Sequence, residues 1–446
     1  MRSCSKRTSR IAALGLSCAA GLALAGCSEN AADPSAQVGP NPNLPELQQY
    51  LFPPMNVARV IGWAEGETPT VPQGLQIRAL ATGLQSPRSL FVLPNGDVLV
   101  VESRAPEGKP VMRPKELVMG WIQSFARGGG ESGESNRITL LRDADGDGTP
   151  ELRSIFLDKL NSPFGVALVG SDLYVAHADA IVRYPYNIGD TEITAPGTVL
   201  TQLPGGPINH HWTKSLVASP DGALLYVGIG SNSNVGERGM EAEKNRAAIL
   251  EVDRASGRWR VFADGLRNPN GLTFEPQTRT LWAVINERDE IGPNLPPDYL
   301  TSVRDGSFYG WPYSYWGQHV DPRVHPPRPD LVEKAIVPDY ALGAHVAALG
   351  LVFYTGTNLP EPYRGGAFIG EHGSWNRMEH SGYKVVFVPF ANGRPNGQAQ
   401  DIVTGFLNED GEARGRPVGL AVDRTGALLI ADDAGGTVWR VTAAGQ

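Results

Sequence analysis

The chain has 446 residues, 41% of them hydrophobic, with 53 Gly and 36 Pro. That is enough for a sizeable core in one large domain or two ordinary ones, and the Gly and Pro content suits a turn-dense all-β fold better than a helical one. A net charge of −8 excludes a general nucleic-acid binder, which needs basic surface to replace counterions.

The N-terminus reads as a targeting segment. Arg2, Lys6, Arg7 and Arg10 precede an apolar run, Ile11–Leu24, that is short for a bilayer span. It ends in Leu24-Ala25-Gly26-Cys27, the form of a bacterial lipobox. Residues 1–27 are therefore expected to be a lipoprotein signal, with Cys27 lipidated and the protein held on the extracytoplasmic side of a membrane. Cys4, Cys18 and Cys27 are the chain's three cysteines and all lie in this leader. The mature body is left without a thiol, so redox chemistry there requires a cofactor. Residues 28–72 are expected to be a linker and N-terminal extension: the stretch 28–50 is polar and rich in Pro, Asn and Ala.

From residue 73 to 446 one theme recurs: a short apolar strand, a turn such as Pro-Asn-Gly or Pro-Asp-Gly, and a second apolar strand. It stands at 84–103, 160–178, 211–231, 266–287, 347–374 and 415–441. This is β-hairpin grammar, and six loose copies predict an all-β, six-bladed β-propeller. The residues just ahead of each inner strand then converge on one end of the central channel. They include Arg88, His211, Arg267, Asn268, His345 and Arg416. Such a set suits an anionic, hydrogen-bond-accepting ligand. Residues 113–129 break the pattern, with Leu117, Val118, Trp121, Ile122 and Phe125 on a helical stripe, packed across the propeller or facing a membrane surface.

Several loops carry candidate chemistry. Asp143, Asp145 and Asp147 alternate in an Asp/Gly-rich turn that suits calcium or is simply an acidic hairpin turn. Ser154 stands where an EF-hand needs its glutamate, which excludes that motif. Asn209-His210-His211-Trp212 has no third His or Cys nearby, so zinc is poorly supported. One histidine is either a general base or a buried turn residue. Arg267 and Asn268, beside Pro269, either hold a developing oxyanion or form a solvent-facing pair. Ile285–Asn294 is acidic and tight enough to hold calcium, and Asp305–His319 is aromatic enough to line a sugar site or to pack between blades.

Taken together, "NHHWTKSLVASPDG", "LRNPNGLTF", "NERDEIGPNLPPDYLTSVRDGSFYGWPYSYWGQH", "GEHGSWNR" and "GRPVGLAVD" resemble the sorbosone dehydrogenase branch of the soluble quinoprotein glucose/sorbosone dehydrogenases, from about Val71 onward. The resemblance implies a propeller that binds pyrroloquinoline quinone (PQQ) and calcium at the channel mouth. It would oxidise a sugar or sugar-derived aldehyde by hydride transfer to the quinone and pass electrons to an acceptor. It assigns His211 as general base, being five residues before the Leu-Val-x-x-Pro-Asp strand, and leaves His210 to shape the turn. Arg267 and Asn268 would polarise the quinone carbonyl, and His345, Arg377, Arg414 and Arg416 would contact the cofactor. Main-chain carbonyls of Glu287 and Arg288 would hold calcium. Ser231 stands where the glucose enzyme has an acidic residue behind its base. Two rival readings share the architecture: a calcium-dependent lactonase, and a propeller that binds glycans without catalysis.

Overall fold

The computed structural model describes residues 34–49, 54–106, 135–206 and 208–445. The leader with Cys27 and the amphipathic stretch 113–129 lie outside these residues.

Among the described residues six sheets, each with four antiparallel strands, follow one another along the chain; those of blades three and four carry a short fifth strand at the outer edge. Their inner strands are Pro87–Val92, Val166–Val169, Leu216–Ala218, Asn268–Phe274, Ala348–Phe353 and Pro417–Val422. Each touches the next, and the last touches the first, which closes a ring. All six line a central channel of about 430 Å³. This is the six-bladed propeller that the hairpin repeat predicts.

The packing explains the strand sequences. Central strands such as Val98–Glu102, Ala367–Glu371 and Leu428–Asp432 are buried along their whole length. Both faces of each blade are covered by neighbours, so these strands read as continuous apolar runs rather than alternating ones. Among the described residues there are six buried hydrophobic clusters, one at each joint between blades. Inner strands approach closely enough to need glycine: a side chain on Gly350 would collide with the Val418 carbonyl of the next blade.

The ring closes without a covalent link. In blade six the three inner strands come from the C-terminal region and the outermost is Leu75–Ala81, paired antiparallel with Thr437–Ala443. The described part of the expected linker is not free of the body. Val38–Gly39 pairs with Ala341 and Leu342 as an outer strand on blade four, and Leu44 and Leu47 pack against the joint of blades three and four. Those apolar side chains and the open sheet edge account for the docking. Trp63 donates its indole N–H to the buried Asp432 at 2.7 Å, tying the extension to blade six.

Candidate active site

Every inner strand starts at the same end of the channel, so the residues ahead of them meet there. Between blades three, four and five a cavity of about 200 Å³ opens, lined by His210, His211, Arg267, Asn268 and His345 among others. His211, Arg267, Asn268, Glu287 and His345, all singled out from the sequence, thus share one cavity.

His211 lies ahead of the inner strand of blade three. Its Nδ1 faces the Ser231 main-chain carbonyl at 2.8 Å and the Ser231 hydroxyl at 3.1 Å. A carbonyl only accepts, so Nδ1 carries the proton and Nε2 keeps the lone pair. The Ser231 hydroxyl is spent as a donor on the Ser233 carbonyl at 2.6 Å, which leaves it an acceptor toward the imidazole. Burial, and then the Arg267 charge, push the His211 pKa well below the usual histidine value. The ring is a neutral, oriented proton acceptor. His210 lies edge-to-face against it at 5.0 Å and is exposed.

Arg267 is almost wholly buried and points into the cavity wall. Nη1 donates to the Glu287 carbonyl at 2.7 Å, and Nη2 to Asn234 Oδ1 at 3.0 Å and Asp289 Oδ2 at 3.2 Å. Its Nε and the Asn268 Oδ1 are buried with no protein partner. Unmade hydrogen bonds of this kind point to a ligand. Gly230 lets these groups meet: a Cβ there would run into the His211 Cβ and the Asn268 side chain.

His345 is in the cavity wall but has no lone pair to offer. Its Nε2 donates to the Gly292 carbonyl at 2.9 Å and its Nδ1 accepts from Asn376 Nδ2 at 3.1 Å. Asn376 Nδ2 also reaches Asp289 Oδ1 at 2.6 Å. His345 therefore touches a ligand only through its ring, and it fixes Asn376, whose buried Oδ1 has no protein partner.

Of the two main-chain carbonyls expected to hold calcium, that of Glu287 already has a protein partner, the Arg267 guanidinium, a cation. Arg288 is buried, paired with Asp321, and donates Nε to the Asp289 carbonyl at 2.9 Å. Carboxylates offer a further donor set. Glu287, Asp289 and Asp298 line the cavity, and burial pushes both Glu287 and Asp298 up to about 7. A hard divalent cation would favour their ionised form.

A second cluster sits beside this cavity. Arg88 pairs with the buried Asp433 at 3.1 Å, and His372 Nε2 lies 3.1 Å from both oxygens of the same carboxylate. Burial raises the Asp433 pKa, but the charges of His372, Arg88 and Arg416 outweigh it and hold the group well below the carboxylate range. Arg88 lies 5.7 Å from the Trp212 ring centroid, next to His211 in sequence, so the two clusters share a border. The buried Nε atoms of Arg88 and Arg416 have no protein partner. Arg416 joins this second group, while Arg377, beside Asn376, reaches the Ala344 carbonyl at 3.4 Å. Arg414 turns away and pairs with Glu67 of the N-terminal extension at 3.3 Å.

The acidic turn is remote. It joins Arg137–Arg142 to Leu152–Leu157, at the end of blade one away from the channel mouth. The carboxylates of Asp143, Asp145, Asp147 and Glu151 converge there. Asp143 accepts the N–H groups of Gly146 and Gly148 at 2.8 and 2.7 Å.

A family model described as TrAA12-like matches residues 136–296 and 332–444. The chain belongs to the TrAA12-like family. An uncharacterised protein of Borreliella burgdorferi is 30% identical over 292 residues, covering 63% of this chain and 76% of that protein. A pyrroloquinoline quinone-dependent pyranose dehydrogenase of Coprinopsis cinerea is 24% identical over 370 residues, 72% of this chain. The match spans 44% of that enzyme's length. The solved PQQ domain of the pyranose dehydrogenase superposes with a TM-score of 0.67, at 21% identity, over 87% of this chain and 100% of the domain. The calcium structure of a Trichoderma reesei AA12 enzyme gives a TM-score of 0.68 at 21% identity, over 87% and 99% of the two chains. At such identities the structural likeness is one of fold.

Proposed function

We propose that this protein is a PQQ- and calcium-dependent dehydrogenase that oxidises a sugar or a sugar-derived aldehyde of the sorbosone type. The observation that carries the reading is His211: a neutral imidazole with its lone pair free, beside a buried arginine and asparagine with unmade hydrogen bonds. The residues present fit the quinone. PQQ has three carboxylates, and Arg88, Arg267, Arg377 and Arg416 surround the channel mouth. When bound, PQQ supplies the two-electron acceptor for the hydride leaving the sugar carbon. Glu287, Asp289 and Asp298 would hold the calcium ion, whose role is that of a Lewis acid.

The protein's own groups do the rest. His211 Nε2 takes the substrate hydroxyl proton, and its depressed pKa keeps it unprotonated at neutral pH and somewhat below. Arg267 and Asn268 set positive charge and an amide N–H at the wall where an acceptor oxygen gains charge. His345 and Asn376 form a fixed edge. In this reading the electrons pass on to a separate acceptor. The leader and Cys27 support a lipid-anchored, extracytoplasmic protein.

Reconstitution tests the proposal. The purified chain is mixed with PQQ and Ca²⁺, and reduction of an artificial dye is followed with a panel of aldoses and ketoaldehydes. Dye reduction that needs both additives is expected. A protein that takes up no quinone in the presence of calcium contradicts it.

A further inference from the structure

The loop that carries His211 contains no regular structure, so something else must fix it. Two buried cations do. Lys214, fully shielded from solvent, donates Nζ to the Trp212 carbonyl at 2.8 Å, Asn209 Oδ1 at 3.2 Å and the His211 carbonyl at 3.3 Å. Arg246, nearly as buried, donates Nη2 to Asn209 Oδ1 at 3.0 Å and the His211 carbonyl at 3.1 Å. Its Nη1 reaches the Gly205 carbonyl at 3.2 Å and also the Pro204 carbonyl. The His211 carbonyl and the Asn209 side chain are each gripped by both cations.

Among the described residues no carboxylate lies within ion-pair distance of either group: Asp179 and Glu243 act on Lys214 and Arg246 only at longer range, and the hydrogen-bond acceptors of both cations are neutral oxygens. Burial and the neighbouring Arg246 charge push the Lys214 pKa well down, and burial lowers Arg246 to about 10. A pair of buried cations with no carboxylate in contact is an expensive way to hold a loop, because apolar residues of similar volume would pack there at lower free energy. Their donors also converge on the peptide groups around His211 rather than spreading along the loop. Asn209, in the left-handed region with φ 41°, extends the grip to blade two by donating to the Ala178 carbonyl at 3.0 Å.

We propose that Lys214 and Arg246 are positioning residues that fix the main chain of His211, so that its Nδ1 stays on Ser231 and its Nε2 stays aimed into the cavity. This rests on His211 being the base of the reaction proposed above. The motif carries the lysine two residues after "HHW", and Arg246 arrives from the long loop between the second and third strands of blade three.

Two readouts on the reconstituted holoprotein test it. The first is ¹⁵N-histidine NMR, with the His211 signal assigned from the His211→Ala variant; wild type is expected to show the neutral Nδ1-protonated tautomer. The second is steady-state kinetics. Lys214→Met is expected to lower kcat on the order of 100-fold, as misplacement of a reacting group does, with KM little changed, and to mix the tautomers. Lys214→Arg, which keeps a cation with several donors, restores most of the turnover and the single tautomer. If Lys214→Met does not fold, Arg246→Lys is read the same way, with a smaller drop in kcat and partial tautomer mixing. A folded Lys214→Met that keeps wild-type kcat or a pure tautomer overturns the proposal, as does a Lys214→Arg no better than Met. A wild-type holoprotein without turnover overturns the dehydrogenase reading instead, and the tautomer measurement then decides the clamp alone.

Discussion

Two imidazoles stand at the channel mouth, and their partners differ. His211 turns Nδ1 toward a carbonyl and a hydroxyl, both from Ser231. His372 turns Nε2 toward the two oxygens of Asp433. Burial lowers both pKa values, but Arg267 and His210 lower His211 further, whereas Asp433 pulls His372 back up. The difference teaches what each ring is for. His211 has neutral hydrogen-bond partners that fix its orientation without attracting a proton, so it is suited to taking one from a substrate. His372 belongs to a charge network in which Arg88 pairs with one carboxylate, that of Asp433, and the Arg416 charge acts on it from nearby, and that network suits holding an acidic ligand.

The comparison breaks first at His211. His211→Ala is expected to cost roughly 10²- to 10⁴-fold in turnover, the usual range for a general base, with quinone uptake retained. His372→Ala should weaken quinone binding more than it slows turnover. Equilibrium titration with PQQ and single-turnover rates separate the two effects. A reversed pattern would exchange the roles of the two rings.

Next in size is Asp433→Asn. Breaking a buried pair on one side is expected to cost about 3 kcal/mol of stability, read by denaturant unfolding at neutral pH. The sign with pH follows from the depressed pKa. The contribution is present above the ordinary aspartate range and is lost as pH falls through the lower folded value, so variant and wild type converge only in strong acid. Gly230→Ala, which drives a methyl group against His211 and Asn268, should cost about 1–3 kcal/mol and lower kcat with the fold intact by circular dichroism.

The smallest expected effect is the most diagnostic of the contrast. Ser231→Asp gives His211 the kind of partner that His372 has. A nearby anion favours the imidazolium, so the acid limb of the kcat/KM profile should move up by about one pH unit and activity near pH 6 should fall. An unmoved limb would mean that Ser231 does not set the protonation of the base.

How much of this was legible in the sequence follows from where each residue sits. The propeller could be read because each blade repeats the same hairpin, as in Pro94-Asn95-Gly96 and Pro220-Asp221-Gly222, and the repeats run in spatial order. His211, Arg267, Asn268 and His345 could be read because each stands at the start of an inner strand or within a few residues ahead of it. Asp433 and His372 could not: they follow central strands of neighbouring blades and meet only when those blades pack side by side. The "GEHGSWNR" motif held His372, but nothing local distinguishes it from a turn residue. Lys214 was in plain view beside "HHW", yet its role depends on total burial, which the single chain does not display. The partner of the Glu287 carbonyl was hidden for the same reason: it is Arg267, a residue 20 positions away. The docking of residues 34–49 was hidden by their polar composition.

The most direct test of the account is anaerobic mixing of the quinone-loaded protein with a single aldose substrate, following the absorbance of the bound quinone through one turnover in wild type, His211→Ala and His372→Ala. The account predicts rapid bleaching in wild type and in any His372→Ala that has bound quinone, and almost none in His211→Ala. Wild-type bleaching in His211→Ala together with a silent His372→Ala would contradict it.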